Sequence, residues 1–381
     1  MKQKKIGLLL LGDYGWVGGL YYILNIIKTL NCLKENERPQ LVIFYNNKTP
    51  KEILYEIKHF NILFHNIDDC SFFYKVFLKL YRVVFRKNIR LSRMINAHNI
   101  DAIYPFTEYL NDLELNCDII YWIYDLQHKY LPKLFSQEEI NKRDIDFANI
   151  ATYAKKIVFS SNDSMLSFKK MYPNTNASLY VLQFVSHVAI DKLPDFSIVQ
   201  KKYSIHTPYF IVANQFWQHK NHMVVLKAIT RLKDKVPHLQ LVFTGAQNDH
   251  RNASYFKSIM DFISENKISK NVLMTGFIPR QEQLSLMMNS IAVIQPSKFE
   301  GWSTVVEDAK VLAKTIILSD IPIHREQIPD NAYFFNPEDT QELEEILYTC
   351  LYSEDLILPQ NDNIKQLNTF INQIKGLFTI Q

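Results

Sequence analysis

The stretch that decides the fold runs from Ile291 to Ser319 and reads Ile-Ala-Val-Ile-Gln-Pro-Ser-Lys-Phe-Glu-Gly-Trp-Ser-Thr-Val-Val-Glu-Asp-Ala-Lys-Val-Leu-Ala-Lys-Thr-Ile-Ile-Leu-Ser. It opens with a short apolar run that Pro296 ends, and a Phe-Glu-Gly turn then leads into a helical pattern near Thr304. A second apolar run occupies residues 316–318. Strand, loop, helix and strand in this order predict a crossover unit of a parallel α/β sheet.

Two glutamates in this stretch, Glu300 and Glu307, admit a local and a functional interpretation. Thr304 and Glu307 have the spacing of a capping box, in which each side chain satisfies an amide of the first helical turn. Alternatively, the first-turn amides and Gly301 form an anion site at the carboxyl edge of the sheet. Carboxylates beside such a site would accept hydrogen bonds from sugar or ribose hydroxyls.

The segment Lys298–Lys310 resembles the two-glutamate signature of the family 4 retaining glycosyltransferases, also called glycosyltransferases group 1. The resemblance implies the glycosyltransferase B fold, an α/β fold with two Rossmann-like, doubly wound domains facing a cleft. It also implies that Glu300 is a catalytic residue near the donor sugar and that Glu307 binds the ribose. The glutamate spacing is one residue shorter than is usual in the family, and the usual proline is absent. The implied donor site also includes Gly301, Trp302, Ser303 and Thr304.

The length of the chain predicts more than one domain. Its 381 residues exceed the roughly 250–300 residues at which one hydrophobic core stops growing. Periodicity weakens around Pro194, which favours an interdomain linker there. We predict an acceptor-side domain over residues 1–195, a nucleotide-sugar donor domain over 196–360, and a helix within 361–381 that, by the family resemblance, crosses back to the first domain.

A glycine-rich loop follows the first predicted strand. Ile6–Leu11 is nearly all apolar, Gly12-Asp-Tyr-Gly-Trp-Val-Gly-Gly19 comes next, and a helix is predicted from Leu20. The loop resembles the paired-glycine loop that faces the donor in the family, which points to Gly18 and Gly19. The alternative is an ordinary tight βα turn.

Candidate acceptor-side residues follow the strand predicted at Asp118–Tyr124. The sequence Asp125-Leu-Gln-His128 resembles a family variant that carries an acceptor-side histidine. Asp125 and His128 therefore join Glu300 as candidate catalytic residues. The alternative for His128 is a solvated loop histidine.

Further donor residues come from the second half of the chain. The loop Asn214–His222 follows a strand predicted at Tyr209–Ala213 and resembles the donor-diphosphate loop, with Lys220 in the lysine position. Gln215 stands where the family usually has an arginine. A surface lysine at a helix start is the alternative for Lys220. The turn Gly276-Phe-Ile resembles the one whose backbone recognises the donor base, which adds Phe277 and Ile278.

Several classes of protein are disfavoured by the sequence. The four cysteines are scattered and show no metal-ligand spacing. Asp144 and Asp146 lie in a helical pattern, where side chains two residues apart point about 160° away from each other. We therefore expect no metal site and no cofactor beyond the nucleotide-sugar substrate, and we expect no nucleic-acid partner. No apolar run approaches the roughly 20 residues that span a bilayer, so a cytoplasmic protein is predicted.

One strongly basic segment, Phe72–Ile95, has seven basic and no acidic residues. Six of these residues fall within an arc of about 80° on a helix. One interpretation is a helix with a solvated basic stripe; the other is docking on an anionic membrane surface, at the inner face of the cytoplasmic membrane, where a lipid-linked acceptor is presented. The six residues are Lys75, Lys79, Arg82, Arg86, Arg90 and Arg93.

The function that we predict is transfer of a sugar from a nucleotide diphosphate donor to an acceptor hydroxyl with retention at the anomeric carbon. Assembly of a bacterial surface polysaccharide or lipopolysaccharide is the predicted setting. Two alternatives stay open, namely a nucleotide-sugar epimerase of the same fold and a non-catalytic subunit that binds sugar nucleotides.

Overall fold

A computed structural model describes residues 3–69, 89–110, 113–206, 208–249, 251–328, 331–359 and 363–380. Within these residues the strands are β1 Lys5–Leu10, β2 Gln40–Tyr45, β3 Ile62–Asn66, β4 Ala102–Phe106, β5 Asp118–Ile123, β6 Lys156–Phe159, β7 Ser178–Val181, β8 Tyr209–Ala213, β9 Gln240–Thr244, β10 Val272–Gly276, β11 Val293–Gln295, β12 Ile316–Ser319 and β13 Tyr333–Phe335.

Helices alternate with the strands along most of the described chain. They are α1 Val17–Asn31, α2 Lys51–Ile57, α3 Ile89–Asn96, α4 Gln127–Tyr130, α5 Gln137–Tyr153, α6 Asn162–Met171, α7 Phe196–Tyr203, α8 His222–Leu232, α9 Tyr255–Glu265, α10 Arg280–Asn289, α11 Thr304–Val311, α12 Pro322–Gln327, α13 Thr340–Tyr352 and α14 Asn363–Phe378. No helix among the described residues is long and apolar enough to cross a membrane.

The strands form two parallel sheets with the same pattern of order. The first sheet has seven strands in the order β3-β2-β1-β4-β5-β6-β7, and the second has six in the order β10-β9-β8-β11-β12-β13. In each sheet the next two strands of the chain are added on one side of the first strand. The remaining strands are then added on its other side. Two doubly wound α/β domains are therefore present, as the sequence predicts.

The chain divides into two compact units that do not follow a single cut in the sequence. One unit comprises Met1–Leu126, Asn141–Val185 and Ile364–Gln381. The other comprises Gln127–Ile140 and Ser186–Asn363. A short segment of the first half of the chain thus belongs with the second sheet.

Alternation along β8 shows how the second sheet is buried on both faces. Phe210 and Val212 pack into the apolar cluster on one face, whereas Tyr209, Ile211 and Ala213 pack into the cluster on the other. Successive side chains of a strand point to opposite faces, so a strand covered on both sides is apolar throughout. The same reason makes the runs before the loops at Asn214 and Pro296 recognisable in the sequence.

One local prediction was wrong. Helix α1 begins at Val17 and not at Leu20, so Gly18 and Gly19 lie in its first turn and not in a loop. The predicted linker contains helix α7, whose first turn is capped by Asp195 through a hydrogen bond from the Ser197 amide at 2.7 Å.

The basic segment lies largely outside the described residues. Lys75, Lys79, Arg82 and Arg86 belong to this undescribed part, as does the side chain of Arg90. Arg93 lies on α3 and is exposed.

Candidate functional site

The candidate site lies at the carboxyl ends of β8 and β11, the neighbouring strands at which the order of the second sheet reverses. Loops that leave such a pair of strands run in opposite directions and open a crevice at the sheet edge. Asn214 follows β8 and Gln295 ends β11; the Asn214 amide Nδ2 donates to Gln295 Oε1 at 2.8 Å, and both side chains are buried. The two strand ends are thereby joined before their loops diverge.

The first pair of predicted site residues is in direct contact. Lys220 Nζ lies 2.6 Å from Glu300 Oε1, and the Glu300 side chain is only 8% exposed. The same oxygen accepts a hydrogen bond from Gln295 Nε2 at 2.8 Å. A cation and a carboxylate are therefore held side by side at the sheet edge, each fixed by a strand or loop of the second unit.

Backbone contacts hold the two loops together around this pair. The Lys298 amide donates to the His219 carbonyl at 2.8 Å, which ties the loop after β11 to the loop after β8. Gly245, just beyond β9, has φ +133°, and a Cβ there would lie 2.2 Å from the Asn214 carbonyl oxygen. Only glycine fits this close approach of two backbones.

Glu307 sits in a second buried cluster at the start of α11. Its Oε1 accepts from Lys310 Nζ and from Gln327 Nε2, each at 2.9 Å. Burial raises the pKa of Glu307, although Lys310 and Gln327 act in the opposite direction. Glu307 is therefore a carboxylate that is held rigidly, with an adjacent lysine to offset the cost of its burial.

The local interpretation of Thr304 and Glu307 as a capping box does not fit the structure. The N-cap of α11 is Ser303, whose Oγ accepts from the Val306 amide. Gln327 also binds Ser303, because its Oε1 accepts from the Ser303 amide at 3.1 Å. The amides of Thr304 and Val305, at the first two helical positions, are the ones that helix geometry leaves to face an anion.

Three histidines of the second unit are buried near these groups. Burial lowers the pKa of His222 to about 3 and that of His324 to about 4, and it holds the pKa of His219 well below its usual range. The His324 Nδ1 lies 2.8 Å from the Ser319 carbonyl oxygen, which favours the tautomer protonated at Nδ1. All three rings are therefore neutral at neutral pH.

We predict that the free energy of unfolding falls as the pH is lowered from about 6.5 towards 4. In this window the unfolded chain binds protons at these histidines that the folded chain excludes. The ring centres of His222 and Phe216 lie 4.3 Å apart with an interplanar angle of 9°. His222→Phe keeps a ring in this stack and removes one of the buried neutral histidines. The slope of unfolding free energy against pH near pH 5 should then be shallower by about 1.4 kcal/mol per pH unit. Denaturant unfolding between pH 4.5 and 7 measures this slope. A slope that is the same in His222→Phe and in the wild type would contradict the assignment of His222 as neutral in the folded protein.

The candidate acceptor-side residues lie in different units. Asp125 belongs to the first unit, where its Oδ1 lies 2.8 Å from Arg143 Nη1. His128 belongs to the second unit, on helix α4, and is buried with its ring near that of Phe135. The solvated loop histidine considered from the sequence does not fit this burial.

Of the two paired glycines, Gly19 lines a cavity in the first unit, whereas Gly18 is exposed. Gly19 is buried, and a Cβ there would approach the Trp16 ring to 2.7 Å, whereas a Cβ at Gly18 would meet nothing within 4 Å. The cavity has a volume of about 210 Å³ and is lined mainly by apolar side chains, with Trp16, Gly19, Glu108 and Trp122 among its residues. Only Gly19 is therefore required to be glycine by close packing.

The remaining candidates differ in exposure. Phe277 is exposed and Ile278 is buried, directly after Gly276, whose φ of +71° ends β10. Gln215, Gly301, Trp302 and Thr304 are half-buried, and Ser303 is buried. Among the residues that the structure describes, no three His, Cys, Asp or Glu side chains are grouped as a metal site would require.

Sequence reasoning missed three polar side chains that position the predicted ones. Gln295 and Gln327 hold the two glutamates, and Arg251 contacts the loop that carries Lys220. Gln295 had a detectable signal, since an amide at the end of an apolar strand needs a polar partner at the sheet edge. The others carried no comparable signal, because their partners are remote in sequence.

Comparison with known proteins links this geometry to a family. Residues 197–366 match the family model of glycosyl transferases group 1. A curated relative, the O-antigen chain mannosyltransferase RfbU of Salmonella typhimurium, is 23% identical over 167 residues. The match spans 42% of this chain and 45% of that protein, somewhat less than half the length of each.

Solved structures share the fold over the whole chain. Anabaena HepE, solved in complex with UDP and glucose, superposes with a TM-score of 0.71 at 14% identity and covers 100% of both chains. A glycosyltransferase from Rickettsia africae gives a TM-score of 0.65 at 14% identity, over 99% of this chain and 95% of that one. WaaG, a glycosyltransferase involved in lipopolysaccharide biosynthesis, gives 0.64 at 12% identity, also over 99% and 95%.

These matches confirm the resemblance drawn from the two glutamates and the fold that it implied. The matched residues include β8, β11, α11 and both glutamates, and the two sheets have the doubly wound order of the glycosyltransferase B fold. The chain thus has the glycosyltransferase B fold, and its residues 197–366 match the model of the glycosyl transferases group 1 family.

Proposed function

We propose that this protein transfers a sugar from a nucleoside diphosphate sugar to an acceptor hydroxyl, with retention at the anomeric carbon. The observation that carries the proposal is the contact of Lys220 with Glu300 at 2.6 Å, at the carboxyl ends of β8 and β11. Support comes from the group 1 match and from HepE, whose structures are described as complexes with UDP, glucose and UDP-glucose.

Each member of the pair has a distinct part in the proposed chemistry. Negative charge develops on the leaving diphosphate, and Lys220 with the first-turn amides of α11 would stabilise it. Glu300 would accept hydrogen bonds from hydroxyls of the donor sugar, and Glu307 from those of the ribose. Because Lys220 already contacts Glu300, the diphosphate and the sugar would bind next to each other, as they are in the donor.

No metal is needed for charge neutralisation in this proposal. Lys220 and the first turn of α11 would neutralise the diphosphate, although Gln215 supplies no second cation where the family usually has arginine. Activity should accordingly survive chelation of divalent cations. Strict dependence on added Mg²⁺ or Mn²⁺ would show that these groups do not suffice.

The test is a two-stage assay with purified protein. A thermal-shift panel of nucleosides, nucleoside diphosphates and nucleotide sugars first selects the donor, because a ligand at 100 times its dissociation constant adds roughly 2.7 kcal/mol to stability. The selected donor is then incubated with and without an acceptor pool, and the products are resolved by mass spectrometry. A glycosylated acceptor with retained anomeric configuration is the expected result.

The same assay separates the alternatives. Conversion of the donor sugar to its epimer without acceptor would favour the nucleotide-sugar epimerase. Donor binding with no turnover on any acceptor would favour the non-catalytic subunit. That alternative is suggested by the shortened glutamate spacing and by Gln215.

We also propose a setting in bacterial surface glycan assembly. Support comes from two of the similar proteins, since RfbU is an O-antigen chain mannosyltransferase and WaaG is a glycosyltransferase involved in lipopolysaccharide biosynthesis. The basic segment, for which the sequence predicts a helix with a basic stripe, would meet a lipid-linked acceptor at an anionic membrane surface.

Sedimentation with vesicles that contain anionic lipid is expected, and it should weaken with salt and when Lys79, Arg82 and Arg86 are changed together to Gln. Binding that does not change with lipid charge or with this triple substitution would contradict the proposed association with an anionic membrane surface.

A further inference from the structure

The inference concerns Arg251, a residue in the turn between β9 and α9 that no motif points to. Its side chain is only 8% exposed, although arginine is rarely buried without partners. Its Nε lies 3.6 Å from the carboxylate of Asp249, which also accepts a hydrogen bond from the Gln218 amide at 2.9 Å. Arg251 is thus anchored at the base of the loop that carries Lys220.

The guanidinium of Arg251 joins that loop to the segment Gln127–Ile140. Its Nη1 donates to Gln127 Oε1 at 3.0 Å, and the group lies 4.9 Å from the centre of the Phe135 ring. On the loop side, it lies 5.2 Å from the Trp217 ring centre, and its Nη2 is 3.4 Å from His219 Nδ1. A planar, delocalised cation suits this combination of ring faces and hydrogen-bond acceptors.

The segment has a second contact with the loop that carries Glu300. The rings of Tyr130 and Phe299 lie 5.6 Å apart, and Phe299 is the residue before Glu300. His128, on the short helix between Gln127 and Tyr130, is therefore held between two anchors, one to each loop of the candidate donor site. A four-residue helix has little stability of its own, so its position depends on such contacts.

We infer that Arg251 is a positioning residue that fixes the helix carrying His128 on the donor-site loops. The inference rests on the proposed function, in which His128 serves the acceptor and Lys220 serves the leaving diphosphate. Arg251 contacts neither reacting group directly; it sets the distance between the two. A precise placement of this kind matters because a displacement of about 1 Å at a reacting centre can cost on the order of a hundredfold in rate.

The first test needs no substrate. Arg251→Met keeps the length and apolar packing of the side chain but removes the charge and the hydrogen bonds. Hydrogen–deuterium exchange should quicken in peptides covering residues 127–135, by about 5- to 30-fold, the range expected when contacts of this strength are lost. Arg231→Met is the matched control, since Arg231 also pairs with a carboxylate in the second unit, that of Glu344. Unchanged exchange in residues 127–135 would overturn the inference whatever the activity of the protein.

The second test separates positioning from direct binding of the donor. In Arg251→Met, kcat for transfer should fall by about tenfold or more, whereas the Kd for the nucleoside diphosphate should stay within about twofold. Donor hydrolysis should rise relative to transfer, because the acceptor is held less well. A parallel loss of nucleoside diphosphate binding and transfer would place Arg251 on the diphosphate and overturn the positioning role.

Further variants distinguish this role from a general loss of stability. Arg251→Lys keeps the charge without the planar group and should restore transfer only in part. Phe135→Leu removes the ring on the segment side and should add little to Arg251→Met, since both act on one contact. Fully additive losses, or a fall in thermal stability that accounts for the lost activity, would contradict the inference. If the wild-type protein transfers no sugar at all, the proposed function fails, and the exchange experiment still decides the role of Arg251.

Discussion

Glu300→Gln is expected to leave a folded protein that binds nucleoside diphosphate but has lost transfer by at least about a hundredfold. The amide at this position retains an oxygen that can accept the hydrogen bonds that Glu300 Oε1 accepts from Gln295 and Lys220. The packing at the sheet edge should therefore survive. What disappears is the negative charge beside the donor sugar, and that charge is the contribution we assign to Glu300.

Binding should change in the opposite direction to turnover. Glu300 is the partner of Lys220 in this structure, so a diphosphate must draw the ammonium group away from a carboxylate. A neutral amide attracts Lys220 less strongly. Isothermal titration should therefore give a Kd for the nucleoside diphosphate that is equal to or lower than that of the wild type.

The control for this variant is Glu338→Gln. Glu338 is exposed and pairs at 2.6 Å with Lys298, which lies two residues before Glu300 in the same loop. This variant should keep full transfer activity. Wild-type turnover in Glu300→Gln, or an equal loss in both variants, would refute the assignment of Glu300.

The parts of the fold that the sequence predicts well are those with strong periodicity. β8 has the predicted bounds, β12 covers the apolar run 316–318 together with Ser319, and α5 contains the helical pattern predicted around Asp144 and Asp146. A strand in a sheet that is covered on both faces is apolar along its whole length. The composition of the strand itself is therefore enough to predict it. The alternation of strands and helices and the rule of right-handed crossovers limit the possible strand orders without selecting one.

The residues at which helices begin are parts of the fold that the sequence specifies less well. The capping of α11 by Ser303 is one example, because Ser303 and Thr304 are both suitable capping residues and the backbone geometry decides between them. The start of α1 at Val17 is another, since Gly18 and Gly19 have low helix propensity and Trp16 packs over Gly19.

The candidate site shows the same division. Glu300 and Lys220 could be proposed from motifs, because each follows a recognisable strand. Their contact at 2.6 Å, and the amide of Gln295 that fixes Glu300, depend on the adjacency of β8 and β11. Arg251 is remote from every motif, and two of its partners, His219 and Gln127, lie 32 and 124 residues away in the sequence. Pattern reading has no means of finding such a residue.

Lys220→Gln is expected to weaken binding of a nucleoside diphosphate while leaving binding of the corresponding nucleoside nearly unchanged. Only the diphosphate presents negative charge to the ammonium group, and a charge-assisted hydrogen bond contributes about 1.5–3 kcal/mol. Glutamine is preferred to alanine because its amide can still donate to Glu300, which is buried and would otherwise lose a partner. Transfer should fall as well, since the same charge stabilises the leaving group.

Lys298→Gln serves as the control, because Lys298 belongs to the same sheet edge yet pairs outward with Glu338. Its affinity for both ligands should match that of the wild type. The difference between nucleoside and nucleoside diphosphate affinity, measured by titration calorimetry in each protein, isolates the phosphate contribution from any general change at the site. If Lys220→Gln weakened both ligands equally, the lysine would act on the shape of the pocket, and the diphosphate would have to be held by the amides of α11 and another cation.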